Sequence, residues 1–178
     1  IGEVAAGETA RAGYNNISGG SVAFPRTDWG ENKITYIQVD ASSYTGKIIG
    51  ATLTVEVSGS SDSKRATSWG VGYNSSVWSA DMTYETADKT ITTMGDKQST
   101  STKSSTTFET KTFDILGAFE NDANSDKIVT LVVYETAAAG GYIKNPQVEI
   151  EAVDASTVTT YTVKYVDEEG NEIATAKE

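Results

Sequence analysis

Two groups of aromatic and polar residues in this sequence could do chemistry. Both stand in polar stretches that contain or adjoin glycine, and their aromatic members do not fit the alternation of a strand. The groups are Trp29 with Arg26 and Asp28, and Tyr142 with Lys144 and Asn145. The apolar C–H face of a sugar ring stacks on aromatic rings, and its hydroxyl groups bond to guanidinium, amide or carboxylate groups. The residue types therefore predict two candidate sugar-binding groups, each in a loop.

A second candidate surface lies on a predicted strand at 33–40. Tyr36 and Gln38 face the opposite way from Ile37 and Val39, because successive side chains of a strand point to opposite faces. With Ile37 and Val39 in the core, Tyr36 and Gln38 are predicted to point outward. This placement favours a binding platform on the face of a sheet.

A strand predicted at 66–74 extends this second candidate. Trp69 and Tyr73 alternate with Gly70 and Gly72, and the two glycines leave one face of the strand bare. A bare face lets another backbone or a ligand approach closely. The pattern predicts a shallow groove beside Trp69 and Tyr73, while ordinary core packing of these two rings stays open as the alternative. We rank this sheet-face site second, after the loop site.

Composition limits the possible chemistry. The chain has no cysteine and no histidine, which excludes thiolate nucleophiles, histidine bases, disulfides and most transition-metal sites. Paired carboxylates could hydrolyse a glycosidic bond, but Glu56, Glu149 and Glu151 are predicted on outward strand faces and no two acids form a recognisable motif. We therefore predict a non-catalytic domain, an accessory to a larger glycan-active enzyme. Oxygen ligands are the ones present, so calcium is the metal to expect if one is bound.

The charge balance limits the possible partners. Fourteen basic and 25 acidic side chains give a net charge of −11, which argues against nucleic acid and anionic lipid as partners. No apolar run approaches the length of a membrane span. These properties favour a secreted or cell-surface module, cut from a longer protein, that binds a glycan.

Alternation of apolar and polar residues predicts the fold. About eight to ten period-two runs, the first at 8–13, and one helical turn at 115–121 capped by Asp114 indicate an all-β domain, an antiparallel β-sandwich of the jelly-roll type. The run 127–134 is apolar on both faces and is predicted as a central strand. The stretch 85–107, rich in Ser, Thr and Lys, is predicted to be the least ordered, with one weak strand around 91–94. The predicted core residues are Ile37, Val39, Leu53, Val55, Leu131, Val148 and Ile150.

The order of several segments carries a family resemblance. ETARAG at 8–13, the strand at 32–40, GATLTVEV at 50–57, VWSADMTY at 77–84 and NPQVEIEAV at 145–153 follow one another. This order resembles the DNRLRE-type jelly rolls, which are classed among bacterial carbohydrate-binding modules. The resemblance covers about residues 1–154 and implies that the loops of Trp29 and Tyr142 lie at one end of the sandwich. It also implies a structural calcium.

The end of the chain has a different pattern. YTVKYVDEEGNEI at 161–173 resembles the opening hairpin of mucin-binding-type repeats on Gram-positive surface proteins. We therefore predict a module at 1–154, and at 155–178 a linker with a partial hairpin of a following module. Two functions remain: a non-catalytic module that binds a polysaccharide, or a structural stalk or adhesin domain of a Gram-positive surface protein, in which an internal Lys–Asn bond could form.

Overall fold

Strands account for most of the structure. The computed structural model describes residues 2–5, 22–24, 33–59, 68–75, 81–83, 85–99, 106–135, 141–154, 156, 163–166 and 172–177. In chain order the strands are β1 (Gly2–Ala5), β2 (Val22–Phe24), β3 (Lys33–Asp40), β4 (Lys47–Gly59), β5 (Ser68–Asn74), β6 (Thr92–Ser99), β7 (Glu109–Asp114), β8 (Ile128–Glu135), β9 (Gly141–Val153), β10 (Val163–Val166) and β11 (Glu172–Lys177). One short helix, α1 (Leu116–Glu120), follows β7. Within these residues, no helix is long and apolar enough to cross a membrane.

The strands pair into two main antiparallel sheets. The first has the order β1-β3-β8-β5-β6, and the second has the order β2-β9-β4-β7. Strands β10 and β11 pair with each other as a separate hairpin. The prediction of an all-β antiparallel sandwich is confirmed, whereas the jelly-roll topology and the domain division at 154 stay predictions.

The main hydrophobic core lies between the two sheets. From the first sheet it takes Ile37, Val39, Trp69, Val71, Met94, Val129, Leu131 and Val133, and from the second Ala51, Leu53, Val55, Val57, Phe113 and Ile143. The rings of Trp69 and Phe113 join the sheets, with centroids 4.9 Å apart and planes inclined at 58°. Five of the predicted core residues are buried as expected, and Val148 and Ile150 are partly buried against the same core.

Strand β8 is central, as its two apolar faces predict. Val129, Leu131 and Val133 enter the main core, and Val132 points to the opposite face. There it packs with Ile34, Tyr36 and Ala87, and the half-buried Met82 covers this cluster. Part of the outer face of the first sheet is therefore covered by residues 81–83 and 85–91, which we call the strap.

The strap leads into strand β6. The weak strand predicted around 91–94 is confirmed by β6, and the strap before it contains a turn closed by Ala87 N donating to Thr83 O at 2.9 Å. Tyr36 Oη and Asn74 Nδ2 both donate to the backbone carbonyl of Asp88, at 3.3 and 2.9 Å. That 85–107 is the least ordered part stays a prediction, because 100–105 lie outside the described residues.

The helix begins close to its predicted position. Asp114 Oδ1 accepts a hydrogen bond from Leu116 N at 2.9 Å, so its carboxylate satisfies an amide of the first turn. The predicted strand at 8–13 lies outside the described residues.

Candidate functional site

The first-ranked site is only partly within the described structure. Trp29, Arg26 and Asp28 lie outside the described residues. Their predicted convergence with Tyr142 therefore stays a prediction.

Tyr142 lies in a strand and not in a loop, which corrects the prediction. It is the second residue of β9 and pairs with Ala23 on one side and Ser58 on the other. Its neighbour Ile143 is buried in the core, so Tyr142 and Lys144 belong to the outer face of the second sheet. Tyr142 is half-buried there. The sequence around Tyr142 does not show the alternation of a strand because a bulge interrupts the alternation immediately after Lys144.

That bulge gathers the other predicted residues of this group. Two residues, Asn145 and Pro146, lie between the pairs Thr54–Gln147 and Glu56–Lys144, and Asn145 has a φ of 49°. A bulge accepts proline because its missing N–H is not needed in the ladder. The extra residue shifts the alternation by one position, so that Val148 and Ile150 face the core as Ile143 does. It also places the Asn145 side chain on the outer surface.

A carboxylate joins the two polar side chains at the bulge. Glu56 accepts from Asn145 Nδ2 at 3.0 Å and lies 3.2 Å from Lys144 Nζ. The hydrogen bond from Asn145, followed by that from Lys144, lowers the pKa of Glu56 from its ordinary value. Lys144 Nζ also lies 3.9 Å from the centre of the Phe108 ring. These groups satisfy one another on an exposed surface, and they leave little unmet bonding capacity for a ligand.

The same cluster bears on the stalk hypothesis. A Lys, an Asn and a carboxylate meet here, as an internal Lys–Asn bond requires. However, Glu56 and Asn145 are solvent-accessible, and Lys144 and Asn145 are neighbours in the chain. A bond between adjacent residues would not tie two strands together, so this cluster does not support a cross-linked stalk.

The predicted sheet-face site is closed by the protein itself. Tyr36 does lie opposite Ile37, but it is fully buried under the strap, so its predicted outward exposure is wrong. Trp69 is also fully buried, in the main core. Gln38 remains exposed on the outer face, where it pairs with Thr130 of β8.

The glycine face of β5 is likewise filled. A Cβ added at Gly70 would lie 2.6 Å from the phenol end of Tyr134, and one at Gly72 would lie 2.5 Å from Ile91 Cγ2. The close approach that the glycines predicted is therefore made by the protein's own side chains. The predicted groove beside Trp69 is not open to a ligand.

Tyr73 lies in a different setting, at the end of the first sheet. A cleft of about 130 Å³ opens there between the end of β5, the end of α1 and the start of β8. Its lining residues are mainly hydroxyl, amide and small side chains around one aromatic ring: Tyr73, Asn74, Ser75, Ala118, Asn121, Asp122, Ala123, Asn124, Ile128, Val129 and Thr130. We call this the end cleft. Of the predicted site aromatics that the structure describes, Tyr73 is the one that lines it.

A tightly bonded loop forms one wall of the end cleft. Asp122 accepts from Asn124 N at 3.1 Å through Oδ1 and from Lys127 N at 2.8 Å through Oδ2. Ser125 and Lys127 have positive φ values of 55° and 62°. Backbone in this region is uncommon for residues with a side chain and persists where the surroundings enforce it. The wall is therefore held in shape before any ligand arrives.

The opposite wall is anchored to the strap. Asn74 Nδ2 donates to the Asp88 carbonyl, and Ser75 Oγ donates to Asp88 Oδ2 at 3.1 Å. Hydrogen bonds from Thr90 are the largest cause, and those from Ser75 a smaller one, of the lowered pKa of the Asp88 carboxyl. Asn121 is fixed in the same way, since its Nδ2 donates to Gly117 O at 2.8 Å. The amides of Asn74 and Asn121 are thus oriented by the fold.

Sequence reasoning missed most of this site. No site residue is predicted in the run at 121–126, and Tyr73 is predicted to lie in a sheet-face groove. The sequence signal for this site is the cluster of asparagine and aspartate in Asn121-Asp122-Ala123-Asn124. Such residues favour turns and also offer side-chain oxygens and amides to a ligand.

No metal site is evident in the described residues. Among them, no group of three or more His, Cys, Asp or Glu side chains is placed to hold an ion. Both carboxylate oxygens of Asp122 are already bonded to backbone amides of their own loop. A structural calcium stays a prediction from the family resemblance.

The end cleft combines one aromatic ring, several oriented amides and a carboxylate, which are groups that can hold a polyhydroxylated ring. Comparison of the chain with protein-family models and with curated protein sequences finds no match in either.

Proposed function

We propose that the domain is a non-catalytic carbohydrate-binding module of a secreted bacterial glycan-degrading enzyme or surface protein. The observation that carries this proposal is the position of Tyr73 in a preformed cleft with Asn121, Asp122 and Asn124. The ring supplies an apolar surface, and the amides supply donors and acceptors for hydroxyl groups. Each Asp122 carboxylate oxygen accepts one backbone hydrogen bond and keeps a second lone pair for a sugar hydroxyl. Preformed walls reduce the ordering cost of binding.

The acidic surface is compatible with this proposal. With a net charge of −11 the protein gains little from polyanions such as nucleic acid, whereas a neutral glycan needs no charge complement. The jelly-roll topology and the DNRLRE-type resemblance belong to the same proposal.

A glycan array followed by calorimetry tests the function and the site together. Asn124→Ala removes an exposed amide at the cleft, and Tyr73→Phe removes a hydroxyl group with little change of shape. Each should weaken binding, because a lost hydrogen bond to a bound polar ligand costs about 0.5–1.5 kcal/mol. Gln147→Ala, an exposed polar residue on the second sheet, is the matched control and should bind as the wild type does.

Variants of the first-ranked aromatics separate the two sites. If Trp29→Ala or Tyr142→Ala abolishes binding while Asn124→Ala does not, the ligand binds at the loop site. If no glycan on a broad array is retained, the carbohydrate proposal is wrong. An intact mass lower by one ammonia than the calculated mass would then favour the stalk, since an internal Lys–Asn bond releases ammonia.

A further inference from the structure

The size of the end cleft limits how much of a glycan it can hold. Its volume is about 130 Å³. An enclosed cavity of roughly 150 Å³ accommodates a benzene ring, and pockets for drug-sized ligands begin at roughly 300 Å³. The end cleft therefore has room for about one six-membered ring.

The walls of the cleft limit how that ring can enter. The floor includes Ala118 and Val129, which belong to the main core, and one wall is the Asp122 loop. Within that loop, Ser125 N also donates to Asp122 O at 3.2 Å. A cleft with room for about one ring cannot enclose a glycan that continues from both sides of that ring. A glycan can enter with its terminal residue.

The charge of the lining limits the kind of ring. Asp122 is the one ionisable acid among the described lining residues, and none of them is lysine or arginine. A carboxylate on the sugar would face Asp122 with no basic group to balance it, inside a molecule of net charge −11. Like charges at close range disfavour binding.

We infer that the end cleft binds the terminal, uncharged pyranose of a glycan chain and not an internal stretch of a polysaccharide. This inference rests on the proposed carbohydrate-binding function and specifies the part of the glycan that is recognised. Chain length beyond the first one or two sugars should then add little affinity, because the later sugars lie in solvent.

Calorimetry with defined oligosaccharides tests the inference. The probes are gluco-, manno- and xylo-oligosaccharides of two to six units, any other neutral series that the array identifies, and oligogalacturonates of the same lengths. We expect at least one neutral series to bind with a Kd that changes less than about threefold from two to six units, and we expect the oligogalacturonates to bind at least about tenfold more weakly than that series.

Asn124→Leu localises the site. This exposed position lines the cleft, so an aliphatic side chain, which offers the sugar neither a hydrogen bond nor an aromatic ring, should weaken binding of the neutral series about threefold or more, while unfolding midpoints stay close to those of the wild type. Gln147→Leu is the matched control on the other sheet.

The outcomes distinguish the two levels of the proposal. A Kd that improves about tenfold or more with chain length, equal binding of oligogalacturonates, or full binding by Asn124→Leu overturns the inference and leaves the carbohydrate-binding function standing. Absence of any glycan binding, on the array and in calorimetry, overturns the proposed function and the inference with it.

Discussion

Replacing Gly72 with alanine tests whether the protein fills the glycine face of β5. The added Cβ would lie 2.5 Å from Ile91 Cγ2 and 2.6 Å from the backbone oxygen of Thr92. Both distances are below what carbon atoms tolerate, so some group must move. The Thr92 carbonyl belongs to the first residue of β6, which pairs with β5, and its displacement disturbs that ladder.

The expected magnitude follows from two opposing effects. Alanine restricts the unfolded chain more than glycine does, which would favour the variant by roughly 0.5–1 kcal/mol. Overpacking a close-packed site costs about 1–3 kcal/mol. Because one of the atoms in contact at Gly72 is backbone, we expect the cost to prevail and the free energy of unfolding to fall by about 1–2 kcal/mol.

Gly70→Ala is the matched control on the same face of the same strand. Its Cβ would lie 2.6 Å from the phenol end of Tyr134, which is the far end of a side chain and can rotate away. We expect the stability of Gly70→Ala to remain within about 1 kcal/mol of the wild type.

Urea unfolding followed by tryptophan fluorescence measures both variants. If the variants lose 1–2 kcal/mol and less than 1 kcal/mol respectively, the face is filled as described. If Gly72→Ala is as stable as the wild type, the contact between β5 and Thr92 is absent and the predicted open groove regains support.

Three further predictions concern stability. Leu53→Ala should lower the free energy of unfolding by about 2–5 kcal/mol because Leu53 is fully buried in the main core. Thr52→Ala, on the exposed face of β4, should change the free energy of unfolding by less than about 0.5 kcal/mol. A comparable loss in both variants would contradict the assigned faces of β4. The pKa of Asp88 is lowered in the folded protein, first by the hydrogen bond from the Thr90 side chain. The ionised Asp88 carboxylate therefore stabilises the folded state fully above its ordinary pKa of about 4, and this stabilisation is lost as the pH falls through the lowered pKa. Melting temperatures of Asp88→Asn should therefore fall less steeply than those of the wild type between about pH 5 and 3, and parallel curves would argue against this role. The predicted structural calcium should make the melting temperature fall when a chelator is added, and an unchanged melting curve in chelator would count against bound calcium.

The sequence by itself determined several of the strands and the side of those strands that faces the core. The alternation from Lys33 to Asp40 predicted β3 with its observed bounds, and the doubly apolar run 127–134 predicted the central position of β8. These predictions succeed because the side-chain period of a strand is a local property of the chain. The core positions of Leu53 and Val55 follow from the same period.

Tertiary structure decided what covers each face. Alternation correctly placed Tyr36 opposite Ile37, but only the passage of the strap over the first sheet buries it. Likewise, the glycines at 70 and 72 signalled a close approach, and the fold showed that Tyr134 and Ile91 make it. The pattern of a strand states which way a residue points, whereas burial depends on segments that are distant in the sequence.

The end cleft depends on the tertiary structure even more strongly. Tyr73 and Asn124 are about fifty positions apart in the sequence, and they line one cavity because β5 pairs with β8 and the loop before β8 returns to the same end of the sheet. The sequence supplied the aromatic ring and the amides. Only strand pairing, which is set by contacts between distant segments, decided that they meet.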